Sequence, residues 1–334
     1  MFTRKNLLVV YLISTLLILV LAGCGGAPNA SSPDSAKAAP GAFKVAMVLP
    51  GEANDGAWSQ AGYEGLKLIE KELGAQVAHS VNITEADAEK IFRQYAQDGY
   101  DFIIGHGGEY IPAAEVVAKE FPRTKFALMA GYGGNNKNLG ALSFRDSEIG
   151  YLMGAVAGIK TKTNKLAFIG GVDYPHMQEQ ATSFERGAKA ANPKVEVAIE
   201  WVGSWTDEAK TKQIAEAQVK AGADVLVGNV DAASQAVFET AKNAGVYALG
   251  WSLDQHDMAP NTILTSGIQR MPVLALEGAT LVQQGRWEGK QYKFGLQEGA
   301  QELAPFYGLL SPEEEARVKT VREDIVTGKI DVTQ

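Results

Sequence analysis

Residues 44–59 read KVAMVLPGEANDGAWS, and the fold turns on this stretch. Lys44–Leu49 is an apolar run too short for a helix and β-branched enough for a buried strand. Pro50-Gly51 then turns the chain, and Asn54, Asp55 and Trp58 follow just before a helical pattern begins. In an open α/β sheet, residues after the carboxyl end of a strand line the ligand crevice. An amide, a carboxylate and an indole at that place suit a flat, polar, hydrogen-bonding molecule. The structural alternative is that Asp55 caps the helix and Trp58 packs on the sheet, both common fates for such residues. The rest of the chain weighs between the two.

Outward from this stretch, short apolar runs alternate with amphipathic stretches, the pattern of parallel sheets covered by helices. The first half predicts strands near 44–49, 76–81, 101–105 and 125–130, with helices near 57–73, 85–98 and 109–120. A second series predicts strands near 165–170, 195–202, 224–228 and 246–250, with helices near 178–191, 207–221 and 232–244. The two series keep step at a nearly constant offset of roughly 120 residues, as in Lys44 and Lys165, Asp101 and Asp224, or Lys125 and Val246. Asp98-Gly99 and Ala221-Gly222 precede the third strand of each series. Identity between the halves is low, so the constant offset is what argues for a shared plan.

Two such domains imply a clamshell that closes on a ligand by hinge motion. The crossovers are expected near Gly154–Lys162 and Pro260–Ser266, with Thr262–Gln269 as a returning strand. One lobe would hold residues 43–157 and about 265–295, the other 158–264 and about 296–334. Ser311-Pro312-Glu313-Glu314 sets a cap, an N1 proline and first-turn acids in order, so a terminal helix is expected over 311–326.

The first residues read as an address. Arg4 and Lys5 precede the apolar run Leu7–Leu21, and Leu21-Ala22-Gly23-Cys24 has the form of a lipobox, after which the cysteine is acylated. A retained membrane span is the competing reading, since the run is nearly long enough. Small residues directly before Cys24, the chain's single cysteine, favour a signal peptide over 1–23 and lipidation at Cys24. Residues 24–42 are rich in Ala, Pro, Ser and Gly, and such a segment cannot offset its ordering entropy by burial; a flexible tether is expected. The formal net charge is -8 with no basic cluster, so no nucleic-acid partner is expected.

The residues after each strand are the cleft candidates. From the first half come Asn54, Asp55, Trp58, His106, Gly107, Gly108, Glu109, Gly131 and Tyr132. From the second come Asp173, Tyr174, His176, Met177, Ser204, Trp205, Asn229, Asp231, Trp251, Asp254 and His256. Trp58, Trp205 and Trp251 all fall at such positions, and aromatics facing one another suit a planar ring. Asn, Asp and Ser would read the ring's edges. Packing of each tryptophan under its own loop is the alternative. There is no Gly-x-Ser-x-Gly elbow and no Walker loop, and Gly105–Gly108 lacks dinucleotide spacing, so no enzyme and no cofactor are expected. No histidine pair has short metal-ligand spacing, so no metal is expected either. His79, within a predicted strand, reads as structural.

With these residues in view, the chain resembles the basic membrane protein family, the lipoprotein substrate-binding proteins of ABC importers related to purine nucleoside receptors. The resemblance runs from about Phe43 to Phe306. It rests on Asn54-Asp55 and an aromatic followed by Tyr63-Glu64-Gly65, on Gln97–Asp101, and on Phe168-Ile169-Gly170-Gly171. It continues in Gly187, Asn192-Pro193, Val202–Trp205, Ala221–Val225, Asp254-Gln255, Leu264-Thr265-Ser266 and Leu303–Phe306. The resemblance implies an α/β fold of the periplasmic-binding-protein type I, with two Rossmann-like parallel-sheet domains joined by a hinge. It implies a purine held between two aromatics, here Trp58 and Trp205, with Asn54, Asp55, Asn229, Asp231 and Asp254 as polar contacts. Gly108, Glu109, Tyr132, Trp251 and Gln269 complete the expected binding set. Many nucleoside-binding relatives carry an acid where Ser252 stands and a lysine where Gln269 stands, so nucleobase and nucleoside both remain open. The implied partners are an ABC permease and its ATPase, with the protein held by lipid at the extracytoplasmic face of the membrane, as a monomer. A ligand-binding sensor, a surface hydrolase, and a binding protein for a sugar or other small polar solute are the readings from other classes.

Overall fold

The computed structural model describes residues 41–54 and 58–333. The expected signal peptide, Cys24, the tether up to residue 40 and the candidate Asp55 lie outside the described residues. Two six-stranded sheets carry the fold. The first contains β1 (Lys44–Val48), β2 (Gln76–Ser80), β3 (Phe102–Gly105), β4 (Lys125–Leu128), β5 (Leu139–Phe144) and β11 (Gln291–Phe294). The second contains β6 (Lys165–Gly170), β7 (Glu196–Trp201), β8 (Val225–Asn229), β9 (Tyr247–Ser252), β10 (Ile263–Gln269) and β12 (Gln301–Leu303). The spatial orders, β2-β1-β3-β4-β5-β11 and β7-β6-β8-β9-β10-β12, correspond strand for strand. All pairings are parallel except β10 with β12, where Gly267 faces Leu303 and Gln269 faces Gln301.

Period-2 alternation sends successive strand residues to opposite faces, and each face is covered by helices. Val45 and Met47 pack towards α1 (Trp58–Leu73) and α8 (Met271–Gln283), while Ala46 and Val48 pack towards α2 (Glu85–Gln97) and α3 (Ile111–Glu120). In the second sheet Phe168 joins a core with α4 (Asp146–Lys160), α5 (Pro175–Ala191) and α9 (Pro312–Val326). Ala167 and Ile169 instead meet α6 (Glu208–Lys220) and α7 (Ser234–Ala244). The runs are apolar throughout because both faces are buried. Gly99 (φ +74°) and Gly222 (φ +99°) end α2 and α6 in the left-handed region, where a side chain would be strained. At α9 the Ser311 hydroxyl accepts from Glu314 N while the Glu314 carboxylate accepts from Ser311 N at 2.7 Å, a reciprocal cap.

The expected crossovers need correction. The span 154–162 is not a linker: α4 runs through it, and nearly every side of α4 is buried on the second sheet. The chain therefore leaves the first sheet at Arg145. β10, expected from residue 265 in the first lobe, pairs with β9 in the second sheet, so the return comes after Gln269. A helix that is apolar all round shows no stripe in the sequence, which is why α4 and the largely apolar α8 escape a periodicity reading.

Candidate functional site

Three chain crossings leave from the carboxyl ends of β5, β10 and β11, so these ends of the two sheets face each other. The crossings are laced together. Arg145 N donates to Phe294 O (2.9 Å), Arg270 N to Ala300 O (2.7 Å) and Gln301 N to Gly295 O (3.2 Å). The Arg145 guanidinium forks onto Glu298 at 2.7 and 3.0 Å, and Glu298 also accepts from Gly295 N (2.9 Å). Lys293 of β11 pairs with Glu179 of α5 at 3.2 Å, tying the first sheet to a helix of the second lobe.

Trp58 opens α1 directly after the β1 loop and remains 43% exposed. Its indole N–H donates to the His106 carbonyl (3.0 Å), and its ring lies on the His106 imidazole at 4.2 Å between centroids. His106, fully buried after β3, contacts the Trp58 carbonyl through Nε2 (2.7 Å) and Met129 Sδ through Nδ1 (2.9 Å). Since a carbonyl oxygen only accepts, Nε2 carries the proton. A Cβ at position 62 would meet the imidazole at 2.8 Å, so Gly62 makes room for it. The indole is thus pinned by its N–H and by one face. Asn54, Gly108 and Glu109 are exposed on the neighbouring loops. Tyr132 turns its hydroxyl away to Glu115 of α3 (3.0 Å). Burial and then that carboxylate push the phenol up to about 12.

In the second lobe the Trp205 ring lies flat against Gly171, where any Cβ would overlap it, with Tyr174 at 6.4 Å. The Trp205 carbonyl accepts from Ala233 N (3.3 Å), which joins its loop to the turn opened by exposed Asp231. His176 stacks on Tyr174 at 6.0 Å, and burial lowers its pKa against the opposing pull of Glu179. One expected contact is corrected, that of Trp251, while Asp254 stays exposed on its loop. Trp251 is only 3% exposed and stands edge-on to Phe168 (5.8 Å) in the core: on β9 it shares its face with Leu249, so it points into the helix-covered layer. Asp254 is engaged by Tyr307 Oη and by His256 N (3.1 Å), while the neighbouring Gln255 N reaches Ser266 Oγ (3.1 Å); this loop folds back along β10.

Asn229, at the end of β8, is 7% exposed and belongs to a buried polar relay that the sequence did not announce. Its Nδ2 donates to Gln180 Oε1 (2.8 Å), and Gln180 Nε2 donates to Asp146 Oδ1 (2.6 Å). Gln269 Nε2 approaches the same oxygen at 3.4 Å. Burial pushes the Asp146 carboxyl up to about 7, with Glu179 adding to the shift and the Gln180 bond, Lys293 and the Gln269 bond opposing it. Asp146 sits where a helix-start acid is ordinary, and Gln180 is one polar residue of an amphipathic helix. Neither carries a sequence signal, because their partners are dozens of residues away. Among the described residues no group of three or more His, Cys, Asp or Glu is placed to hold a metal ion.

The family model described as "ABC transporter substrate-binding protein PnrA-like" matches residues 42–333. A purine-binding protein of Brucella abortus (strain 2308) is 30% identical, covering 86% of this chain and 84% of that protein. The transcriptional activator protein med of Bacillus subtilis (strain 168) is 27% identical over 94% of this chain and 96% of its own length. Among solved structures, an ABC transporter solute-binding protein from Conexibacter woesei DSM 14684 superposes with a TM-score of 0.67 at 24% identity, covering 87% of this chain and 98% of that one. The two sheets and their helices form the two-domain α/β fold of the type I periplasmic binding proteins.

Proposed function

Because the chain belongs to the family of PnrA-like ABC transporter substrate-binding proteins, we propose that its ligand is a purine, nucleobase or nucleoside, stacked between Trp58 and Trp205. Substrate-binding proteins capture a small molecule and hand it to a permease driven by an ATPase; they are not enzymes. The observation that carries the ligand assignment is the indole of Trp58, exposed at the strand ends yet pinned to buried His106 by ring and N–H. An aromatic plate held rigid before binding loses little entropy when a planar ring stacks on it. Trp205, backed by Gly171, offers a second such plate from the other lobe. Asn54, Asp55, Asn229 and Asp231 supply polar contacts to the ring edges. We place the protein at the extracytoplasmic face of the membrane, anchored through lipid on Cys24.

A thermal-shift screen of ligand-stripped protein against nucleobases, nucleosides, sugars and amino acids tests this reading. A ligand of the native state raises the midpoint in step with the logarithm of its concentration over Kd. Purines are expected to shift it; silence from every purine and riboside would remove the assignment. Trp58→Ala and Trp205→Ala are each expected to weaken purine binding by roughly 1–3 kcal/mol, about tenfold to a hundredfold, while the protein stays folded. Calorimetric titration of each variant measures this, and an unchanged Kd takes that tryptophan out of the site. A regulatory reading, in which the bound protein signals to a partner, is favoured by the match to the activator med. It uses the same ligand site and would show as a ligand-dependent protein contact without uptake.

A further inference from the structure

The buried relay has a direction, and the direction follows from which atoms can donate. A carboxylate only accepts, so Gln180 must turn its NH2 to Asp146, as it does at 2.6 Å. The carbonyl of Gln180 then faces Asn229 and takes an N–H from it at 2.8 Å. With its Nδ2 engaged by Gln180 and close to Met177 Sδ (3.8 Å), Asn229 has its side-chain oxygen left over. That Oδ1 has no partner among the described residues and stands at the end of β8, on the edge where the candidate ligand residues gather. The side-chain hydrogen bonds of Gln180 and Asp146 run to one another, to Asn229 or to Gln269, so Asn229 is the member of the relay with a group left to offer a ligand. Resting on the purine reading above, we infer that Asp146 and Gln180 are positioning residues that fix Asn229 as a hydrogen-bond acceptor, so that the cleft selects a purine edge with an N–H at that point. The relay makes specificity depend on a carboxylate two side chains away from the ligand. Adenine and hypoxanthine interchange donor and acceptor at their N1 and C6 substituents, so an acceptor of fixed polarity tells them apart.

The test is a mutant cycle run at pH 8.5. Asn229→Asp puts acceptors at both ends of the single Gln180 amide, which can satisfy only one of them, and the thermal midpoint of ligand-free protein is expected to fall by several degrees. Adding Asp146→Asn supplies an N–H at the far end: Gln180 then reverses, and the acceptor at position 229 is restored. The cost of Asn229→Asp is therefore expected to shrink to less than half in the Asp146→Asn background. Direct repulsion between two carboxylates predicts the same rescue, so the cycle is repeated with Gln180→Met; there the relay predicts simple addition of the two effects. Equal cost in both backgrounds, or coupling that persists with Gln180→Met, overturns the inference whatever the ligand is. In the binding arm, Asp146→Asn alone lets the relay point either way and is expected to narrow the ratio of adenine to hypoxanthine Kd by about tenfold. The Asp146→Asn, Asn229→Asp pair is expected to restore it, and an unchanged ratio in the single variant counts against the inference. If no purine binds the parent protein, the purine reading fails, and the thermal cycle still decides whether the relay is directional.

Discussion

At pH 8.5 the Asp146→Asn protein is expected to be more stable than the parent by about 4 kcal/mol relative to their difference at pH 3.5. The sign follows from the raised carboxyl. Asp146 titrates near 7 in the fold, against 3.8 as its ordinary value. Between those two pH values the native state holds a proton that the unfolded chain has released. Stability is then lost as pH rises, at about 1.4 kcal/mol per unit, and the loss is complete above about pH 7. An amide does not titrate, so Asp146→Asn removes that slope. Whatever fixed cost the new NH2 brings, it is the same at every pH and drops out of the comparison. Urea unfolding of both proteins at pH 3.5, 5.5 and 8.5 measures the effect. A stability difference that is flat across that range would mean that burial does not raise the Asp146 carboxyl. A residue that costs stability at neutral pH is a candidate for a role other than stability, and the polarity of Asn229 supplies one.

Gly154→Ala is expected to destabilise the protein by about 3 kcal/mol or more. Gly150, Gly154 and Gly158 lie four residues apart on α4 and form one ridge facing α5. A Cβ at Gly150 would come within 2.5 Å of the Gln180 carbonyl oxygen, and one at Gly158 would be equally close to that of Ala188. At Gly154 and at Gly187 of the facing helix, a Cβ would run straight into a backbone carbonyl, of Phe184 and Tyr151 respectively. Backbone cannot swing aside as a long side chain can, so the helices would have to part along their length. The same contact carries Gln180 to Asp146, so a variant that still folds is also expected to bind purine more weakly. Gly133→Ala is the control: nothing lies within 4 Å of its Cβ position, and a change within about 0.5 kcal/mol is expected. Chemical denaturation of both variants decides the matter. A Gly154→Ala protein as stable as the control would show that α4 and α5 have room to spare.

Elements whose pattern is local could be read from the chain before it folds. Lys44–Val48, Phe102–Gly105, Lys165–Gly170 and Val225–Asn229 are strands where short apolar runs predict them. The amphipathic helices α1, α2, α6 and α7 lie within a few residues of their expected limits, and Ser311 caps α9 as its spacing with Glu314 implies. The repeated plan was legible for the same reason, since each half spells out the same order of short local patterns. Trp58 and Trp205 were legible as candidates because position after a strand end is also a local property.

Features that depend on which surfaces meet were beyond such a reading. α4 is apolar on every side and shows no stripe, so its identity as a helix and its place on the second sheet come from its packing on α5. β10 joins β9 rather than the first sheet, a choice made by hydrogen bonding between segments and not by composition. Trp251 is expected just after a strand, as Trp58 is, yet β9 runs on through it, and strand alternation sends Trp251 into the core while Trp58 stays exposed. The Asp146, Gln180 and Asn229 relay joins α4, α5 and β8. A buried hydrogen bond between side chains far apart in the chain leaves no periodicity behind, and only the folded chain brings its donor to its acceptor.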